Sequence, residues 1–382
     1  MNSRILISGA RAPVCLELTR QFSKRQIKVE VADSFSVPLT RFSSKIAEFH
    51  EIASPRFEFE KFCQQIQNLQ KEKSFDLIIP TCEEVFYFSK LKELMPIPEI
   101  FCDRFDKLLQ LHNKWSFYLQ SLNWSLQAPQ SFLLQRHEDW QALKLNSKDF
   151  VFKPVYSRFA AQTLIGPEPA QLRKINWSAG QWIAQRKITG DEVCVYIVCH
   201  HGDLKAFCSY RPTYRVGLGA GIFLEPYFDE TLVSFCEEFV EHSKFHGQIA
   251  FDLIYDRQDK RYWLLECNPR STSGVNFFDS RLVDCFYNLN RDLLFGDRKH
   301  PRMLASAMLI YGFPWQLNSK TWPKSVMDFA RDFNRGKDII WDAEDKLPFF
   351  AQYISFAKFI AAALVSGQSV IQISSKDIEY NA

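Results

Sequence analysis

Glycine is scarce in this chain, with 14 in 382 residues. A dinucleotide fingerprint needs three glycines in the first strand–helix turn. Only Gly9 stands there, between the apolar run Arg4 to Ser8 and the helix expected to follow. That excludes a nicotinamide-dinucleotide site and leaves a bare α/β scaffold. The ten cysteines contain no C-x-x-C pair, so no zinc knuckle is legible. Cys194, Cys199, Cys208 and Cys267 lie in apolar runs, where cysteine acts as a small hydrophobe. With no secretory leader, the expected compartment is a reducing cytoplasm. An excess of one charge is also missing. The net charge of +3 is too weak for a nucleic-acid partner. The longest apolar stretch, Phe356 to Val365, contains Lys358 and is too short to cross a bilayer. It reads as a buried or amphipathic helix, and no membrane partner is expected. No Ser-His-Asp set is legible.

What is abundant is aromatic: 35 Phe, many of them in short apolar runs. Two such runs flank a polar turn between Gln248 and Arg270, the pattern of a β-hairpin. If Gln258, Asp259 and Lys260 form the loop, Arg257 faces Arg261 and Asp252 comes opposite Glu266. Directly opposed side chains are about 5 Å apart at Cβ. Two carboxylates at that spacing repel unless a proton or cation lies between them. A hard dication with oxygen ligands, Mg²⁺ above all, fits. Asn268, two residues after Glu266 and so on the same strand face, adds a neutral oxygen.

The rest of the chain supplies a frame. Arg4 to Ser8 and Ile27 to Ala32 read as strands around a helix, and Phe75 to Pro80 as a third strand. Thr81 and Glu84 form a capping box for the helix that follows; the alternative is that Glu83 and Glu84 face a substrate cleft. Residues about 100 to 127 read as helical, with Lys114 in the middle. Lys153 ends the strand Phe150 to Pro154, and strands are expected at Trp182 to Gln185 and Glu192 to His200. Arg211 to Gly221 holds the main glycine cluster, spaced so that backbone could lie against a ligand. After about Asn290 the sequence turns helical.

The ordered set Lys114, Lys153, Gln185 to Gly190, Glu192, Asp252 and Glu266-x-Asn268-Pro-Arg270 resembles the ATP-grasp enzymes. It is most similar to their carboxylate–amine ligases, which include carbamoyl-phosphate synthase and D-alanine–D-alanine ligase. The resemblance implies an α/β and α+β chain. A Rossmann-like pre-ATP-grasp domain (1–108) would precede a two-lobed ATP-grasp domain (109–290, with lobes 109–180 and 181–290) and a helical C-terminal region (291–382). It implies ATP and Mg²⁺ as cofactors, two ions in number, with Mn²⁺ as a substitute. Lys114 and Lys153 would contact ATP phosphates. Gln185, Arg186, Lys187 and Ile188 would meet adenine, and Glu192 the ribose. Asp252, Glu266 and Asn268 would hold the metal. Arg270, with Arg211 or Arg215, would steady the transferred phosphoryl group or a substrate carboxylate. The family's glycine-rich phosphate loop is replaced by Val155 to Thr163, which has no glycine; Ser157 and Arg158 are the candidate donors there. The implied reaction joins a small-molecule carboxylate to an amine through an acyl phosphate, in a cytoplasmic homodimer. A small-molecule kinase and a nucleotide-binding protein without turnover are the alternatives.

Overall fold

The computed structural model describes residues 3–94, 100–157, 162–216, 219–317 and 324–381. The first sheet is parallel, in the order β3-β2-β1-β4, from β1 (Arg4–Ser8), β2 (Lys28–Asp33), β3 (Glu48–Glu51) and β4 (Leu77–Ile79). Parallel neighbours need crossovers, and α1 (Pro13–Lys24) and α2 (Phe59–Lys73) provide them. Both faces are therefore covered, and Ile5, Leu6 and Ile7 are fully buried. Gly9 is obligatory at the turn after β1. Its φ is +77°, and an added Cβ would lie 2.4 Å from Thr81 Oγ1. The expected capping box is only half made. Glu84 accepts from the amides of Thr81 and Cys82, but Thr81 Oγ1 donates to the Ser8 carbonyl at 2.7 Å. Thr81 thus fastens the end of β1 instead of capping α3 (Val85–Leu94).

The expected single helical stretch after residue 100 is two helices, α4 (Phe105–His112) and α5 (Lys114–Ser121). Asn113 breaks them because its Oδ1 accepts from the amides of Trp115 and Ser116, at 3.1 and 2.9 Å. Lys114 becomes the first residue of α5 rather than a mid-helix surface lysine.

A second, antiparallel sheet of order β5-β8-β6-β7 contains β5 (Ser131–Leu134), β6 (Phe150–Pro154), β7 (Leu164–Ile165) and β8 (Trp182–Arg186). A third sheet is larger. It runs β13-β12-β9-β10-β11-β15-β16, with β14 beside β10. Its strands are β9 (Asp191–His200), β10 (Asp203–Val216), β11 (Ala220–Tyr227), β12 (Gly247–Asp256), β13 (Arg261–Asn268), β14 (Leu294–Phe295), β15 (Arg302–Met303) and β16 (Lys337–Asp338). The Arg211 to Gly221 segment is mostly a hairpin of β10 and β11, not a glycine loop; Gly217 and Leu218 lie outside the described residues. Gly221 is needed for strand packing, since a Cβ there would meet Pro212 Cβ at 2.7 Å. The region after 290 carries helices, as expected, and also contributes β14, β15 and β16 to the large sheet.

The end of the chain folds back on the first sheet. Arg20 and Asp345, both buried, pair at 3.0 Å, and Asp345 also accepts from Ser43 Oγ and the Ser44 amide. Arg11 bridges Asp33 and Asp377. Tyr380 packs against Phe86, Tyr87 and Phe105.

The apolar stretch near residue 360 departs from expectation. It belongs to a helix of 20 residues, Leu347–Ser366, with mean hydropathy 1.5 and only 17% of its apolar window buried. By length and composition it could span a bilayer. It is neither buried nor amphipathic in the ordinary sense, because it is turned inside out. Ala351, Ser355 and Ala363 face the protein, whereas Leu364 and Val365 are 79% and 91% exposed. Its inward face is held by a Phe35–Phe359 stack at 4.3 Å and by Ser355 Oγ donating to the Val37 carbonyl.

Removing one member of a buried, hydrogen-bonded ion pair strands the other, at a cost of about 3–5 kcal/mol. Asp345→Ala should lower the unfolding free energy in urea by that amount. A loss below about 1 kcal/mol, the range of exposed pairs, would show that the C-terminal segment is not anchored there.

Candidate active site

The hairpin β12–β13 places Asp252 opposite Glu266, as the sequence suggests, by a different route. The loop is residues 257–260, one longer than expected, so Asp256 and not Arg257 faces Arg261. A bulge then shifts the ladder between Asp252 and Leu253, with Leu265 as the extra residue. The two one-residue differences cancel at the acids. On the other side of β12, Asp252 pairs with Cys194 of β9, so the hairpin is fixed in the large sheet.

The bulge also turns a carbonyl outward. Lys153 Nζ, on β6 of the smaller sheet, donates to the Leu265 carbonyl at 3.1 Å. Lys114 Nζ lies 3.6 Å from Glu266 Oε2 and donates to the Ser157 carbonyl at 3.1 Å. Both lysines are buried, 4% and 7% exposed, which for lysine demands partners. Lys153 is pushed down to about 8 by burial, against the pull of Glu266. Asp252 is pushed up to about 6 by lost solvation and by Glu266 facing it. In Glu266, lost solvation pushes upward, but Lys114 and Lys153 outweigh it and hold the carboxyl below its usual range.

The other predicted residues divide. Gln185 is buried in the central strand β8, but the amides of Arg186 and Lys187 already donate to the carbonyls of Gln130 and Asp149. Ile188 follows the end of β8. Glu192 is exposed at the start of β9 and is ion-paired with Arg215. Arg215 also donates to the Gly219 carbonyl at 2.9 Å and bears on Asp252. Arg211 instead lies over the Tyr227 ring at 4.0 Å. Of the two arginines left open by the sequence, Arg215 is the one beside the acids. Ser157 offers its carbonyl to Lys114, and Arg158 lies outside the described residues. Asn268 Nδ2 donates to Asp252 Oδ2 at 3.0 Å, and Asn268 Oδ1 accepts from Arg270 Nη2 at 3.1 Å. To ligate a cation through oxygen, that amide must turn or Arg270 must move.

Residues outside the family resemblance also join the site. Arg270 Nε lies 3.9 Å from Glu83 Oε1, and Glu83 Oε2 accepts from the Tyr380 amide at 3.3 Å. His112, last residue of α4, bears on Glu266. Asn113 Nδ2 donates to Tyr156 OH at 3.0 Å. The Glu83–Tyr380 contact joins residues 297 apart in the chain, and none of these contacts leaves a local pattern to read.

Two facing carboxylates, with Asp252 pushed up to about 6 by lost solvation and by Glu266, are a set of oxygen donors. They fit a hard dication such as Mg²⁺. Without one, the pair is a liability. An acid whose folded pKa exceeds its unfolded value favours the folded state at low pH, and that advantage is lost as pH rises through the folded value. The metal-free chain should therefore melt higher at pH 5 than at pH 7.5. Asp252→Asn should remove that dependence and stabilise the metal-free chain at pH 7.5 by about 1 kcal/mol. Calorimetry at the two pH values checks this; a destabilised Asn variant would mean the carboxylates do not repel.

No protein-family model and no curated protein sequence matches the chain. Solved structures do. N5-carboxyaminoimidazole synthetase from Staphylococcus aureus, complexed with ADP, superposes with a TM-score of 0.67 at 12% identity, over 87% of this chain and 97% of that one. The L-amino acid ligase of Bacillus licheniformis gives 0.56 at 14% identity, over 72% and 68%. Pyruvate carboxylase of Rhizobium etli gives 0.58 at 15% identity over 71% of this chain, which spans only 26% of that enzyme. The strand order, the two sheets meeting at buried lysines, and these superpositions establish that this chain has the ATP-grasp fold.

Proposed function

We propose that the chain is an ATP- and Mg²⁺-dependent ligase that activates a small-molecule carboxylate as an acyl phosphate for attack by an amine. The observation that carries this reading is the convergence of Lys114 and Lys153, from two different elements, on the Glu266 strand opposite Asp252. Phosphoryl transfer asks mainly for positioning and charge neutralisation, and this arrangement supplies both. It is also the fold of the S. aureus synthetase solved with ADP.

Asp252 and Glu266 would hold Mg²⁺, with Asn268 after its amide turns; when bound, the ion offsets the charge of the phosphates. Lys153 and Lys114 are held over the acids by backbone carbonyls, and exchange those carbonyls for phosphate oxygens when nucleotide enters. Glu192 must leave Arg215 to reach a ribose, and that same separation releases Arg215 toward the γ-phosphate. The two steps are thereby coupled. Arg270, steadied by Glu83, faces the substrate side. The substrate carboxylate attacks the γ-phosphorus, ADP leaves, and the amine displaces phosphate from the acyl carbon to form the amide. Water exclusion between the sheets protects the acyl phosphate.

For assembly, the exposed helix Leu347–Ser366 suits a second copy of the chain. Its inner face is pinned by Ser355, Phe359 and a Lys358–Ser36 hydrogen bond at 3.1 Å, which leaves one face for contact. Exposed apolar surface of this kind marks an interface.

Incubation with Mg-ATP, mixed carboxylates and amines should release ADP and phosphate together with a new amide. Glu266→Gln should reduce that turnover at least about 1000-fold, the scale of losing a key electrostatic group, while the chain stays folded. A phosphorylated product would instead make it a kinase, and nucleotide binding without ADP release a non-catalytic binder. In sedimentation the wild type should run as a dimer and Leu364→Glu as a monomer. Identical sedimentation of the two would remove the helix from the interface.

A further inference from the structure

At the far end of the large sheet, three of the chain's eight histidines meet. The strand pairing brings them there. His200 ends β9, and β12 starts with Gly247 opposite Cys199, so His246 comes beside His200. His201 and Gly202 form the two-residue turn between β9 and β10, with φ of 48° and 94°. Both are in the left-handed region, where a turn of this kind ordinarily takes Asn-Gly. A histidine there is a costlier choice, and it puts an imidazole over His246. The ring centroids are 4.9 Å apart for His200–His201, 5.0 Å for His200–His246 and 4.0 Å for His201–His246. One nitrogen from each ring lies within 4.8 Å of the others.

We propose that this cluster is a binding site for a borderline transition-metal dication of the zinc type, separate from the nucleotide site. Three imidazoles with room for one further ligand are a known zinc donor set, and nitrogen ligands discriminate against Mg²⁺ and Ca²⁺. Two of the three rings are placed by rigid backbone. The His246 amide donates to Asp103 Oδ2 at 2.9 Å, and the Gly202 amide donates to the Phe245 carbonyl at 3.0 Å. His201, exposed on the turn, now lies parallel to His246 and turns edge-on to complete the set. His200 lies six steps along β9 from Cys194, which faces Asp252, so the cluster is about 20 Å from the acids. A bound ion would clamp the β9–β10 turn to the start of β12, the far end of the strand that carries Asp252. The site does not depend on the proposed reaction.

The test uses the full chain stripped with a chelator, titrated calorimetrically with zinc sulfate in excess magnesium chloride, which occupies carboxylate sites. One zinc per chain should bind, the melting temperature should rise, and cobalt(II) should give the intense visible absorption of a tetrahedral site. His201→Asn preserves the turn, since Asn suits that backbone, and should weaken zinc binding by about 100-fold. His246→Gln should do the same, and Mg-ADP affinity should be unchanged in His201→Asn. The proposal is overturned by wild-type zinc affinity in a folded His201→Asn chain, or by the absence of stoichiometric zinc binding to the wild type.

Discussion

Asp252 and Glu266 face each other across an antiparallel ladder, with two lysine ammonium groups brought in from outside the hairpin. Like charges at that spacing are unfavourable, and so are lysines with so little access to water. Each cost is offset in part by the other pair, and in part by the Leu265 and Ser157 carbonyls on the lysines and by Asn268 on Asp252. Asp252 remains pushed up to about 6, and Lys153 is pushed down to about 8 by burial. A site with this residual imbalance is poised for a charged ligand, and the proposed Mg-nucleotide would carry both signs of charge to it.

The remaining architecture can be understood as support for that arrangement. Asn113 breaks the helical run so that Lys114 begins α5 and can reach Glu266. The Leu265 bulge both corrects the register of the acids and provides the carbonyl that holds Lys153. Glu192 and Arg215 neutralise each other on one side of the acids, and Glu83 and Arg270 approach each other. The C-terminal segment reaches the same place: Tyr380 donates its amide to Glu83, and Asp345 and Asp377 secure the segment on Arg20 and Arg11.

How much of this was legible depended on sequence distance. β1 and β6 begin and end where their apolar runs do, because strand signals are local. The acid pair was legible because a hairpin joins near neighbours, although the loop length and the bulge each differed by one residue and compensated. Asn113 was misread as mid-helix, since its capping geometry competes with helical periodicity only once Lys114 has something to reach. The half-made Thr81 cap and the Tyr380–Glu83 contact join distant segments and had no periodicity to betray them. The helix Leu347–Ser366 was misjudged for another reason. Burial is normally inferred from apolarity, and here the small residues face inward and the large ones outward.

A crystal structure with Mn²⁺ and ADP, read by its anomalous signal, would test the central claim most directly. The account predicts a manganese peak bridging carboxylate oxygens of Asp252 and Glu266 at about 2.2 Å, with Lys153 Nζ moved from the Leu265 carbonyl to a phosphate oxygen. A nucleotide bound elsewhere, or bound with manganese ligated by neither carboxylate, would contradict it.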